Sequence, residues 1–230
     1  MQIVDISQKK NEVYGIKNDY LTNLYPENHF DFHLDIGARG VKNPWHMHFL
    51  SHRSPSTMHI GYECDIPYYQ EIQDIITNEQ LENAKMYSDG FGDGSEIKTP
   101  QGNIKSITLK DIVERDNLNL DDTWCFKMDC EGCEYSMFGD TDTENILKKA
   151  DHIALETHYG SVVQRTNNFW HRVNEYPTES LVETWMTDVF SDTHKIFVMD
   201  DQKSLGLNTH VLISNETYEN ANDLFWKNLL

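Results

Sequence analysis

Basic residues are scarce in this chain. Of its 230 residues, 19 are Lys or Arg against 38 Asp or Glu, a formal charge of −19. A surface of that sign repels polyphosphate at long range, and phosphate contacts dominate nucleic-acid affinity. No Lys/Arg cluster longer than a pair offsets it. Nucleic acid is therefore not an expected partner; a neutral or cationic small molecule fits better. Long apolar runs are missing too. None is long enough to span a bilayer, and the opening MQIVDISQKKNEVYG lacks the apolar stretch of a secretory signal. A soluble, cytoplasmic protein without a membrane partner is the expectation. Linker-like Pro/Gly/Ser stretches, internal repeats and low-complexity tracts are absent. One domain over residues 1–230 is expected, with 1–28 as an N-terminal extension. Nothing in the sequence signals an oligomeric state.

Cysteine is sparse, at four residues: Cys64, Cys125, Cys130 and Cys133. Cys130-Glu-Gly-Cys133 is half a zinc site, and the second pair that would complete it is missing. Reduced cysteines near the end of a buried strand are expected.

What is present is an alternation. FHLDIG (32–37) reads as a buried strand entering a glycine turn, and TMHIGYE (57–63) as a second strand ending on an acid. IPYYQEIQDII (66–76) has helical spacing, with Pro67 suited to a first turn. AKMYSDGFGDG (84–94) reads as a third strand running into a glycine-rich loop. KSITLKDIVERDNL (105–118) follows, with Thr108 as candidate N-cap. WCFKMD (124–129) is a fourth strand, from which CEGCEYSMFGD leads into a helix, and HIALETH (152–158) is a fifth. ESLVETWMTDVF (179–190) is an amphipathic helix, KIFVMDD (195–201) a sixth strand and HVLISN (210–215) a seventh. Strands alternating with helices imply an α/β fold with a doubly wound, mainly parallel seven-stranded sheet. Only residues 202–209 separate the last two strands, so these are expected to pair antiparallel at the sheet edge.

In such sheets ligands bind beyond the carboxyl ends of the strands. The first strand ends in Asp35-Ile-Gly37-Ala-Arg-Gly40, where glycines let backbone approach a ligand closely. Glu63 closes the second strand, 28 residues past Asp35, and a carboxylate there can accept both hydroxyls of a ribose. This pair points to an adenosine cofactor without choosing among NAD, FAD and S-adenosylmethionine. It is also compatible with two solvated acids at strand ends.

The densest motif closes the fourth strand: Lys127-Met-Asp129-Cys-Glu131-Gly132-Cys-Glu134. Here the sequence resembles the FkbM family of methyltransferases, whose members carry Lys-x-Asp-x-Glu-Gly-x-Glu at this place. The resemblance extends to His33-Leu-Asp35-Ile-Gly37-Ala38, to Thr108-Leu109-Lys-Asp111, and to Glu156-Thr-His158, covering about residues 30–160. It implies a class I, Rossmann-like methyltransferase fold, S-adenosylmethionine as methyl donor, and O-methylation of a small-molecule hydroxyl, commonly on a sugar. Carried onto this chain, Asp35, Gly37 and Gly40 line the methionine part of the cofactor and Glu63 holds the ribose. Asp89 and Gly90, which follow the third strand, are placed near the adenine by position alone. One departure is visible: Val-Lys-Asn-Pro44 separates the glycine turn from the next helix, which puts Arg39 and Gly40 in doubt as contacts.

A neutral alcohol must lose its proton during methyl transfer, which calls for a base or a metal. Asp129, Glu156 and His158 end adjacent strands on the ligand side. Asp129 is expected as base, with His158 orienting it or sharing that role. The same three residues could chelate a divalent metal, a reading possible but not favoured. Glu134 is expected to serve the dipole of the following helix, and Lys127 to pair with a nearby acid. The aromatic stretch 159–178 is read as an acceptor-site insertion suited to a carbohydrate, or equally as an aromatic loop packing on the body. His46, His48 and His52 are read as solvated or capping. Two rivals stand beside the methyltransferase: a nicotinamide-dependent hydride-transfer enzyme, disfavoured by the incomplete GxGxxG, and a non-catalytic binding module or pseudoenzyme.

Overall fold

The structure, a computed structural model, describes residues 4–5, 25, 27–38, 51–99, 101–130, 132–158, 178–202 and 207–220. Strands β1 (Val4–Asp5), β2 (Phe32–Ile36), β3 (Met58–Tyr62), β4 (Ala84–Tyr87), β8 (Trp124–Met128), β9 (His152–His158), β10 (His194–Gln202) and β11 (Leu207–Ser214) form one sheet. Its order is β1-β10-β11-β9-β8-β2-β3-β4. The seven strands expected are all in it, and β1, a two-residue segment of the N-terminal extension, adds an outer strand parallel to β10. β2, β3, β4, β8 and β9 run parallel, while β11 lies antiparallel between β9 and β10. The short 202–209 connection leaves no room for a crossover, so β10 and β11 form a hairpin that slots β11 beside β9.

Helices α1 (Ile66–Glu79), α2 (Leu109–Asp116), α3 (Thr141–Leu147), α4 (Glu179–Phe190) and α5 (Asn215–Asn220) connect or follow the strands. Their ends obey local chemistry. α1 carries Pro67 in its first turn and closes on Gln80 at φ 55°. α2 opens on a capping box: the Thr108 hydroxyl accepts from the Asp111 backbone N–H while the Asp111 carboxylate accepts from that of Thr108. α4 starts at Thr178 and buries Val182, Met186 and Phe190 at helical spacing.

One difference from expectation lies between β4 and α2. The glycine-rich loop leads into a small second sheet, order β5-β7-β6, built from β5 (Gly90–Phe91), β6 (Glu96–Thr99) and β7 (Gly102–Ile107). Its hairpin is short and mostly polar, with Gly102 at φ 124° in the turn, so no apolar alternation announced it.

Period-two alternation sorts the sheet into two faces. Phe32, Leu34, Ile36, Ile60, Trp124 and Phe126 point to one side and pack against α2 and α4 residues in the main core. Each such side chain contributes about 1.5–3 kcal/mol by leaving water. The intervening positions are polar yet buried: His33 and Asp35 on β2, His59 on β3, and His152 on β9 are at most 1% exposed. Register places Asp35 directly opposite Lys127 on β8. The site grows from the carboxyl end of that polar face.

Candidate functional site

At the end of β2 the chain turns through Gly37, whose φ is +74°. A Cβ there would collide with the backbone carbonyl of Asp129. Only glycine allows the β2 and β8 ends to approach this closely, and the Asp129 N–H donates to the Ile36 carbonyl at 2.9 Å across the same gap. Asp35 is 1% exposed. Its Oδ1 lies 3.0 Å from the Lys127 ammonium, which also donates to the Gly37 carbonyl at 3.1 Å. Lys127 thus pairs with an acid as expected. Burial works against its charge, and the Asp35, Asp129 and Glu156 carboxylates outweigh that effect, raising its pKa above the usual lysine value. The second oxygen, Asp35 Oδ2, is buried and accepts no hydrogen bond from the described residues. A buried anionic oxygen without a donor is costly. It marks a place where a cationic ligand group would be welcome.

Asp129, Glu156 and His158 come together. One donor atom from each lies within 4.8 Å of the others. Adjacent parallel pairing of β8 with β9 brings them there. Asp129 and Glu156 are half-buried and His158 is buried.

The residue that sequence reading assigned differently is Glu134. It sits in a short 3₁₀ helix (Cys133–Met137) rather than on the exposed start of an α-helix, and it is fully buried. Its Oε2 accepts from the Gly132 N–H at 2.7 Å, and its Oε1 accepts from both the backbone N–H and the ring Nδ1 of His158, at 3.0 and 2.9 Å. Glu134 therefore holds His158 instead of serving a helix dipole. Across the ring, His158 Nε2 faces Glu156 Oε1 at 3.4 Å. Burial opposes a charge on this imidazole, but the hydrogen bonds to Glu134 and Glu156 outweigh it and push the pKa up to about 11. His158 is an imidazolium clamped between two carboxylates.

Gly132 stands at φ 114°, and the turn it makes folds Cys130 back on Cys133, with 5.5 Å between their Cα atoms. The two are joined in a disulfide. This corrects the expectation of reduced cysteines here; Cys64 and Cys125 form no disulfide. The x positions of Asp-x-Glu-Gly-x-Glu are three apart, a spacing that a tight turn closes.

Glu63 is buried at the end of β3, and its Oε1 accepts from the Asp65 backbone N–H at 2.8 Å. Gly90 lies in β5, packed so tightly that a Cβ would strike the Ile97 side chain. Asp89 is paired with the Arg115 guanidinium at 2.6 Å. Sequence reading missed Arg115. Its guanidinium lies 3.7 Å over the Tyr87 ring and donates to the Tyr62 hydroxyl. Tyr62 and Tyr87 stack and both donate to the fully shielded carboxylate of Asp116. Nothing in a bare Glu-Arg-Asp helix end signals that arrangement.

Gly40, Arg39, Glu131, the late helix start at Asn43-Pro44, and His46 and His48 lie outside the described residues, as does 159–177 of the aromatic insertion. His52 is exposed and hydrogen-bonds Glu79 at 2.7 Å.

No protein-family model matches this chain, and no curated protein matches it either. Solved structures do. The methyltransferase FkbM from Methylobacillus flagellatus KT superposes with a TM-score of 0.54 at 15% identity, covering 90% of this chain and 50% of that one. This chain thus spans half the length of that protein. A protein from Thermobifida fusca YX assigned as a methyltransferase superposes with a TM-score of 0.50 at 8% identity, covering 92% and 95%. At these identities the likeness speaks to architecture. The fold is the Rossmann-like α/β fold of class I methyltransferases, with its mostly parallel sheet and antiparallel strand near one edge.

Proposed function

We propose that this chain is an S-adenosylmethionine-dependent O-methyltransferase acting on a hydroxyl of a small molecule, a sugar foremost, with residues 1–230 as one methyltransferase domain. The observation that carries the reading is the gathering of Asp129, Glu156 and His158 within 4.8 Å at the carboxyl ends of β8 and β9, in a fold shared with methyltransferases.

The residues fit the cofactor. Gly37 has no side chain to obstruct it, and Asp35 presents a buried carboxylate oxygen without a donor, matched to the α-ammonium of a methionine moiety. On this reading Glu63, at the end of β3, takes the ribose hydroxyls, and Asp89 and Gly90, after β4, lie by the adenine. Gly40 completes the methionine side on the resemblance to the FkbM pattern. When bound, S-adenosylmethionine supplies a methyl group already activated on a sulfonium, so much of the protein's task is positioning.

Asp129 takes the acceptor's hydroxyl proton at a carboxylate oxygen. His158, held as imidazolium by Glu134, orients that carboxylate and Glu156. Lys127 fixes Asp35 and balances it, which keeps the cofactor side of the site rigid. Asp129, Glu156 and His158 also have the O/N chemistry for a divalent cation. Such a cation would have to displace the Nε2 proton that Glu156 faces, so the metal-free reading is favoured. A surface at −19 favours a neutral or cationic acceptor over a polyphosphate, and the 159–178 insertion is the segment proposed to cover it.

Calorimetric titration with S-adenosylmethionine, and separately with NAD, tests the reading. Binding of the sulfonium with a dissociation constant on the order of micromolar, weakened by Glu63→Ala, is expected, and NAD should give no heat. Labelled methyl transfer to a panel of sugars then identifies the acceptor. Tight binding of NAD would replace methyl transfer with hydride chemistry. Failure of both ligands would replace catalysis with a binding module.

A further inference from the structure

The two cysteines of Asp129-Cys130-Glu-Gly-Cys133-Glu134 occupy the variable positions of an otherwise patterned motif, and they are joined in a disulfide. The bridge closes a loop whose two ends are functional. Asp129 precedes it, and Glu134, which holds His158 through two hydrogen bonds, follows it. Between them the Gly132 N–H donates to Glu134 at 2.7 Å. The loop also abuts the cofactor turn, since Gly37 packs against the Asp129 carbonyl and the Cys130 backbone.

A structural purpose explains this bridge poorly. Disulfide stabilisation grows with the length of the loop that is closed, and here the partners are three residues apart. The other two cysteines, Cys64 and Cys125, form no disulfide, so the chain does not use bridges as a general staple. Access is asymmetric: Cys130 is half-buried, whereas Cys133 is 5% exposed. An incoming thiolate has one sulfur to attack.

We infer that Cys130–Cys133 is a thiol–disulfide exchange site whose redox state sets the geometry of the adjacent Asp129/His158 site, with a soluble dithiol as co-reactant. A dithiol thiolate attacks Cys130 Sγ; the Cys130–Cys133 bond breaks and Cys133 leaves as thiolate. The second dithiol sulfur, as thiolate, then displaces Cys130 from the mixed disulfide. The products are one cyclic disulfide and two protein thiols, so two electrons and two protons move from the dithiol to the protein. Reduction frees the turn at Gly132, and with it the anchor that places Glu134 under His158. The catalytic arm of this inference rests on the function proposed above; the exchange itself does not.

Three measurements test it on the full chain with dithiothreitol as the dithiol. Protein prepared without reductant is denatured, alkylated and mapped by mass spectrometry: Cys64 and Cys125 should be labelled, with Cys130 and Cys133 in one disulfide-linked peptide. After dithiothreitol all four cysteines should be labelled. Labelling of all four before reduction overturns the inference. Second, the ring resonances of His158, assigned with His158→Gln, should shift on reduction. Those of Cys130→Ser/Cys133→Ser should match the reduced protein and ignore dithiothreitol, with circular dichroism confirming that the variant is folded. Unchanged His158 resonances overturn the coupling of bridge to site. Third, S-adenosylhomocysteine should bind the reduced protein about tenfold more weakly than the oxidised one, because the cofactor turn at Gly37 packs against the Asp129–Cys130 backbone that the bridge holds. Equal affinity in the two states overturns the catalytic arm. If S-adenosylhomocysteine binds neither state, the methyltransferase reading falls, while mapping and the His158 resonances still decide whether the bridge exchanges and moves the site.

Discussion

Glu134→Gln removes one charge from the most enclosed carboxylate in the site while keeping its shape. Its two oxygens accept three N–H groups: Gly132 N, His158 N and His158 Nδ1. A glutamine has one acceptor oxygen, so in either orientation its NH₂ faces an N–H donor. One unsatisfied buried donor costs about 1–3 kcal/mol, and the charge-assisted bond to the imidazolium weakens as well. About 3 kcal/mol of lost stability at pH 7 is expected, within the range seen when a buried pair loses one partner. The pH dependence gives a second signature. The folded-state pKa of His158 is raised from 6.5 to about 11, so its stabilising contribution is full below pH 6.5 and is lost as pH rises toward 11. Each pH unit in that window removes up to about 1.4 kcal/mol. In Glu134→Gln the slope between pH 7 and 9 should be shallower, and the gap to the parent protein should narrow. Urea unfolding at a series of pH values, with an NMR titration of the His158 ring, measures both. A parent His158 that titrates near 6.5, together with a variant cost below about 1 kcal/mol, would refute the clamp.

Gly37→Ala should destabilise by more than about 2 kcal/mol, because it combines a strained positive φ with a backbone collision; thermal unfolding measures it, and a neutral result would mean that the β2 and β8 ends are not in contact. Lys127→Met leaves Asp35 as an uncompensated buried charge and should cost about 3–5 kcal/mol, whereas Asp35→Asn/Lys127→Met should recover much of that loss; a double-mutant cycle in urea that shows simple additivity would contradict the pairing. His194 and His210 are buried and neutral, both lowered to about 4 by desolvation. Their unfolded-state values near 6.5 mean that stability falls as pH drops from 6.5 to 4, and His210→Gln should remove about half of that acid slope in urea melts.

The alternation of apolar strands and capped helices was readable because each element here obeys a local rule. Thr108 and Asp111 form the capping box their spacing suggests, Pro67 sits in a first turn, and α4 has the expected bounds. Asp129, Glu156 and His158 were readable as a group for a topological reason: parallel strands put their last residues at the same end. Local rules give no access to pairing across sequence. The β6–β7 hairpin was hidden because its strands are short and polar. Glu134 was misassigned because a carboxylate six residues past the end of a strand suits a helix N-terminus equally well, and its partner, His158, lies 24 residues away. The stacking of Arg115 on Tyr87 joins an α2 helix end to a β4 strand end, contacts that no period of either element encodes.

These pairings fix the electrostatics of the site. On the polar face, Lys127 neutralises Asp35 at 3.0 Å and the His158 imidazolium neutralises Glu134 at 2.9 Å. Asp35, Glu134 and His158 are buried and Lys127 is half-buried, and each pair leaves its net charge near zero. The balance of the cluster is then set by Asp129 and Glu156, both half-buried, in a protein already at −19. A site with that surplus draws in a cation and has no comparable hold on the neutral molecule left when the positive charge is gone. On the proposed function, this distinguishes a sulfonium donor from its thioether product. On the same reading the Asp129 carboxylate is the group that accepts the acceptor's proton. On the proposed function, pairing with Lys127 compensates one oxygen of Asp35 and leaves Oδ2 for the cofactor's ammonium, while Asp129 and Glu156 act on the sulfonium and the acceptor.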